Sequence, residues 1–150
     1  MIGSLAGTTP VVARLQSVAA SVALVVEDDP HVRRPLVELL KVHGMRVLEA
    51  ANADEALAAI QTCAPNLVIA DIMMRGKAEG FDLCWNIKTN PATSGCYVIM
   101  LTGLGERSDI ENGRQNGADQ YLVKPVSLNL LWEIITKLGV IIQPGGSNLN

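Results

Sequence analysis

Aromatic side chains are scarce in this chain of 150 residues: two Trp, two Tyr and one Phe, 3% of the total. A core must therefore be aliphatic, and the aromatic stacking platforms of single-strand and RNA binders are not expected. A charge surplus is lacking too. Twelve Lys and Arg against fifteen Asp and Glu leave a net charge of −3, which argues against nucleic acid or an anionic membrane as a partner reached through bulk charge. Cysteine is limited to Cys63, Cys84 and Cys96. They form no CxxC pair and no cluster with His31 or His43, so reduced thiols in a reducing compartment are expected. A long uncharged apolar run is missing as well. Residues 11–26 resemble a secretory core, but no basic segment precedes them, Arg14 interrupts them, and they run into Glu27-Asp28-Asp29. The expectation is a cytoplasmic protein with no membrane span.

What is present is the balance of a folded domain, with 49% hydrophobic and 18% charged residues. The length suits one core. Four short apolar runs, 22–26, 67–70, 97–101 and 121–123, are rich in Val, Ile and Leu and do not alternate with polar residues. Such runs suit strands covered on both faces, as in a parallel sheet. A fifth, 46–49, mixes Arg46 and Glu49 with apolar residues and fits an edge strand. Helical patterns separate the runs. Asp29-Pro30 opens a helix expected to reach Gly44, with a kink at Pro35. Asn52, with Glu55 three residues on, opens the next. Phe81, Cys84 and Ile87 form the stripe of a third helix, which Asn90-Pro91 ends. A weaker helix is expected over 106–116, despite Asn112-Gly113 in its middle. Ser127 caps a last helix carrying Leu128, Leu131, Ile135 and Leu138 on one face. Five strand–helix repeats predict an α/β fold with a mostly parallel sheet.

Three parts are expected: an N-terminal extension over 1–21, either disordered or a short amphipathic helix, a domain over 22–140, and a flexible tail over 141–150. The tail is too short for an effector module, so the output is expected to be protein–protein contact.

In a doubly wound sheet the functional crevice lies outside the carboxyl ends of the strands. There the chain places Glu27, Asp28 and Asp29 after the first run, Asp71 after the third, Thr102 after the fourth and Lys124 after the last. Crowded carboxylates repel one another unless a cation neutralises them, and hard oxygen ligands select Mg²⁺ or a similar ion. A strand-end carboxylate can attack phosphorus and become an aspartyl phosphate. Lysine can hold phosphoryl oxygens as a point charge, and a threonine hydroxyl can donate to one of them. Taken singly, Asp28-Asp29 reads equally well as a helix cap and Lys124 as a solvated lysine. Their joint placement at one rim favours chemistry.

These residues resemble the receiver domains of two-component response regulators. The resemblance lies in Glu27-Asp28-Asp29 after VALVV, Asp71 after LVIA, Thr102-Gly103 after VIML, and Ala118-Asp119-Gln120-Tyr121-Leu122-Val123-Lys124-Pro125. It implies a flavodoxin-like sandwich with a five-stranded parallel sheet in the order 2-1-3-4-5. It also implies phosphotransfer onto Asp71 from a histidine kinase or histidine phosphotransfer protein. Mg²⁺ would be held by Asp28, Asp29, Asp71 and the backbone carbonyl of Met73. Lys124 would contact the phosphoryl group, Thr102 and Tyr121 would form the switch pair, and a downstream protein would read a surface built from the 106–116 helix, the last strand and the last helix. A phosphorylation-dependent homodimer is left open. The rival reading is an interaction module on the same fold that works without phosphorylation. A phosphohydrolase would want a second Asp at Met73, and a flavodoxin would want a phosphate loop where the carboxylates stand.

The chain departs from the family pattern after Asp71. The usual proline is missing and the segment Arg75-Gly76-Lys77-Ala78-Glu79-Gly80 is about one residue longer. Arg75 and Lys77 are read as solvated loop charges or as contacts for a partner's acidic surface. Met73 and Leu104 should flank the path of hydrolytic water, and neither can orient it, which predicts a long-lived acyl phosphate.

Overall fold

A computed structural model describes residues 21–103 and 117–137. The expectations placed on 1–20, on Leu104, on the 106–116 helix and on the C-terminal tail lie outside the described residues. The rest is an α/β sandwich. Its elements run β1 (Val22–Val26), α1 (Pro30–Val42), β2 (Arg46–Ala50), α2 (Ala53–Thr62), β3 (Leu67–Asp71), α3 (Glu79–Thr89), β4 (Tyr97–Thr102), β5 (Gln120–Val123) and α4 (Leu128–Lys137). All described strand pairs are parallel, in the order β2-β1-β3-β4-β5. This is the flavodoxin-like order that the resemblance implies.

The sequence patterns carry directly into these elements. β1 and β3 are buried at every position, because helices cover both faces of a parallel sheet. β2, with its exposed Arg46 and Glu49, takes one edge. Strand alternation splits the interior in two. On one face Leu36, Val37 and Leu40 of α1 and Leu131 and Ile135 of α4 pack over Val25, Ile69 and Leu101. On the other, Ala56 of α2 and Phe81, Cys84 and Ile87 of α3 pack over Leu24, Val68 and Met100. Phe81 is the sole aromatic among the described buried residues, as the composition requires.

Caps set the helix ends. The Asp29 carboxylate accepts from His31 N at 2.9 Å, with Pro30 in the first turn. The helix ends at Val42 rather than Gly44, because Gly44 lies just beyond it at φ +91, the left-handed geometry that closes helices. α1 also runs through Pro35 as one element. The N–H that Pro35 lacks would have reached only the carbonyl of His31, on an exposed face near the helix start. Asn52 Oδ1 accepts from Glu55 N at 2.9 Å, while Glu55 reaches back to Ala51 N at 2.8 Å. Ser127 Oγ accepts from Leu130 N at 3.2 Å. At the entry to β5 the Asp119 carboxylate accepts from Val98 N at 2.8 Å and pairs with Lys88 at 2.7 Å.

Cys84 and Cys96 are buried, Cys63 is partly exposed, and none of the three is in a disulfide. Burial pushes the Cys84 thiol up to about 11 and the Cys96 thiol up to about 12, so both stay protonated. Among the described residues no helix is long and apolar enough to cross a membrane.

Candidate functional site

The order of strands reverses between β1 and β3, and the crevice at their carboxyl ends is where such sheets bind ligands. The register places Val26 beside Ala70, so Glu27 and Asp71 follow side by side. The ladder continues past the strand ends, with Glu27 N on Ala50 O at 3.0 Å and Lys124 N on Thr102 O at 2.8 Å. Alternation therefore sends Glu27, Asp71 and Lys124 to one side, in line with Val25, Ile69 and Leu122.

The side chains meet there. Lys124 Nζ donates to Asp71 Oδ2 at 2.7 Å and to Glu27 Oε1 at 2.8 Å. Glu27 is 1% exposed and Asp71 6%, so the two acceptors are shielded from water while the Lys124 side chain stays 27% exposed, and the attraction is less screened than in a surface ion pair. The second oxygen of Glu27 accepts from Asp29 N at 3.1 Å. Burial pushes Glu27 up to about 7 from 4.5; Asp28 and Asp71 add to the rise, and Lys124 and the Asp29 N–H oppose it. Burial would lower Lys124, but Asp71 and Glu27 outweigh it and raise the ammonium above its ordinary value. For Asp28 burial again acts upward, yet hydrogen bonds from Glu27 and from Arg75 N hold the carboxyl below its usual value.

Glu27, Asp28 and Asp71 each bring a carboxylate oxygen within 4.8 Å of the others. Three hard oxygen donors, two of them on buried residues, fit a small divalent cation. Asp29 lies elsewhere: its side chain caps α1 through His31 N and sits 3.4 Å from His31 Nδ1. Glu27, a rim acid to which the sequence assigns no ligand role, is the residue that joins Asp28 and Asp71. Strand period was the signal available for it, since Glu27 continues the Val25 row and Asp29 falls beyond the turn.

Met73 is 38% exposed, and its N–H donates to Asp71 Oδ1 at 3.3 Å. Thr102 is fully buried and donates to Gly103 O at 3.1 Å. Tyr121 lies opposite Met100 and packs on the α2–α3 side of the sheet. By alternation Thr102 shares that side with Met100, whereas Asp71 and Lys124 belong to the other. Arg75 is not a bare loop charge: its guanidinium grips Glu79 at 2.9 and 3.0 Å. A cleft of about 490 Å³ adjoins Lys124, lined by Val32, Pro35, Leu36, Pro125, Val126 and Leu128.

Residues 23–136 match the family model described as "Response regulator receiver domain". Protein PilG of Pseudomonas aeruginosa is 39% identical over 104 residues, covering 69% of this chain and 76% of that protein. "Probable transcriptional regulator ycf27" of Cyanophora paradoxa is 41% identical over 104 residues, or 69% of this chain. The match spans only 42% of that regulator's length. Among solved structures, a CheY-like response regulator receiver domain protein of Methanospirillum hungatei is 30% identical with a TM-score of 0.73, covering 81% of this chain and 94% of that one. Chemotaxis response regulator CheY4 of Vibrio cholerae is 25% identical with a TM-score of 0.72, covering 79% and 98%.

Proposed function

This chain belongs to the response regulator receiver domain family, and on that premise we propose that Asp71 accepts a phosphoryl group from the phosphohistidine of a kinase or phosphotransfer protein. The observation that carries the reading is the contact between Lys124 and Asp71 beside two further carboxylates. One Asp71 oxygen attacks phosphorus as the histidine N–P bond breaks. The imidazole nitrogen keeps the electron pair and the phosphoryl group remains as an acyl phosphate. Lys124 already points its ammonium at the oxygen pair where new negative charge arrives. Glu27, Asp28, Asp71 and the Met73 carbonyl would hold Mg²⁺, and the bound ion would supply positive charge against the phosphoryl oxygens. The apolar cleft beside Lys124 supports docking of the donor next to the acceptor.

The Thr102 hydroxyl, now given to Gly103 O, turns to the phosphoryl group after transfer, and Tyr121 moves into the space released. The resulting surface recruits a downstream protein. Met73 offers no group to orient water, so the acyl phosphate is long-lived. Acetyl phosphate with Mg²⁺ tests the reading by intact mass. The wild type is expected to gain one hydroxylamine-labile phosphate and Asp71→Asn none. Labelling of Asp71→Asn at an unchanged site would refute the assignment, and a wild type that stays unlabelled and ignores beryllofluoride would favour a phosphorylation-independent module.

A further inference from the structure

Between β3 and α3 the chain makes a two-residue turn whose central residues, Arg75 and Gly76, both have positive φ, +54 and +75. Met74 and Lys77 exchange backbone hydrogen bonds across it at 2.8 and 3.0 Å, closing a small hairpin of the kind such angles permit. Glycine adopts this conformation freely. Arginine does so only against strain, so some contact must hold it there.

Several contacts are present, among them a looser one from Nη2 to Asp54 Oδ2 at 3.8 Å. The guanidinium forms a fork on Glu79, with Nε at 2.9 Å from Oε2 and Nη2 at 3.0 Å from Oε1. Glu79, whose side chain is 13% exposed, also accepts from Ala53 N at 3.1 Å at the start of α2. The backbone N–H of Arg75 donates to Asp28 Oδ2 at 3.2 Å. One residue thus joins the acidic trio to the loop after Asp71 and, through Glu79, to two helix starts. A lone exposed ion pair contributes little. A bidentate fork on a carboxylate that is itself fixed holds geometry as well as charge.

We propose that Arg75 is a positioning residue, whose grip on Glu79 fixes the turn where its own N–H holds the Asp28 carboxylate beside Glu27 and Asp71, ready for a divalent cation. The proposal rests on the reading of the trio as a metal-assisted phosphoacceptor site. The contacts of Arg75 run to Asp28, Glu79 and Asp54. Arg75 acts through Asp28, as hydrogen-bond partners of metal ligands generally do.

Arg75→Gly separates backbone from side chain, because glycine keeps the positive φ and drops the fork. Mg²⁺ titrations by calorimetry are run on wild type, Arg75→Gly, Glu79→Gln and the double variant, followed by acetyl phosphate labelling across a Mg²⁺ series. Arg75→Gly is expected to weaken Mg²⁺ binding about tenfold, the low end for an outer partner of a ligand. Arg75→Lys should recover only part of the loss, since an ammonium cannot form the fork. The double variant should bind no more weakly than Arg75→Gly alone, because both changes break one clamp. In labelling, the effect should appear in the Mg²⁺ concentration at half-maximal rate and not in the rate at saturation. Should Arg75→Gly fail to fold, Glu79→Gln leaves the turn residues untouched and should show a similar loss. Unshifted Mg²⁺ binding in either folded variant, or losses that simply add, would overturn the clamp. A wild type that binds no Mg²⁺ would overturn the phosphoacceptor reading itself and the clamp with it.

Discussion

Lys124 Nζ stands 2.7 Å from Asp71 Oδ2, so the residue after the outermost strand reaches across the end of β4 to the tip of the central strand. The same ammonium lies 2.8 Å from Glu27, which gives the buried acids of β1 and β3 a shared counter-charge.

Replacing that ammonium should slow the chemistry and, by leaving two buried carboxylates without their counter-charge, also lower stability. In Lys124→Met, the rate of labelling by acetyl phosphate at saturating Mg²⁺ is expected to fall about a hundredfold, as when one preorganised donor is removed from a reacting oxygen. A rate within a few-fold of wild type would mean that the contact is only structural.

Glu27 makes the metal-free protein sensitive to pH. Burial, the largest influence, raises its folded value from 4.5 to about 7, so between these limits the folded chain holds a proton that the unfolded chain releases. Stability from this group is present in acid and is lost as pH rises through about 7. Urea midpoints in Mg²⁺-free buffer should be higher at about pH 6 than at about pH 8, and Glu27→Gln should reduce the difference.

Asp29 and Asp28 should separate under substitution. Asp29→Ala removes the side-chain cap on His31 N and should cost about 1 kcal/mol of stability while Mg²⁺ affinity is kept. Asp28→Ala should do the reverse, and paired chemical denaturation and calorimetry distinguish them.

Gly80 lies where β3 meets α3, and its N–H donates to Ile72 O at 3.0 Å. A Cβ there would overlap the Asp71 carbonyl oxygen and stand 2.8 Å from Ile72 Cα. Because both are backbone, neither can step aside cheaply. Gly80→Ala should cost roughly 1–3 kcal/mol, read as a lower denaturation midpoint with an unchanged slope.

How much of this was legible beforehand depends on pattern length. β1 and β3 could be read because unbroken Val, Ile and Leu runs have one good home, the middle of a parallel sheet. Asn52 and Ser127 could be read because caps act within three residues. Asp71 and Lys124 could be placed at one rim once strand ends were known. Which two of Glu27, Asp28 and Asp29 face Asp71 depends on where the ladder stops and α1 begins, and element boundaries are the weakest part of any pattern. Arg75 had no signal at all. Arginine before glycine is not a usual hairpin turn, and its fixing partner, Glu79, becomes visible only when the loop is closed.

Alternation along the strands has one more consequence. The sheet is a partition, with the charge-bearing row of Glu27, Asp71 and Lys124 in one compartment and Thr102 and Tyr121 in the other. On the phosphoacceptor role proposed for Asp71, news of an added phosphate need not travel through the dry interior, which would demand repacking. It can pass around the rim, where strands end and side chains border water. A message received on one side of the wall can thus be displayed on the far side while the masonry between stays still.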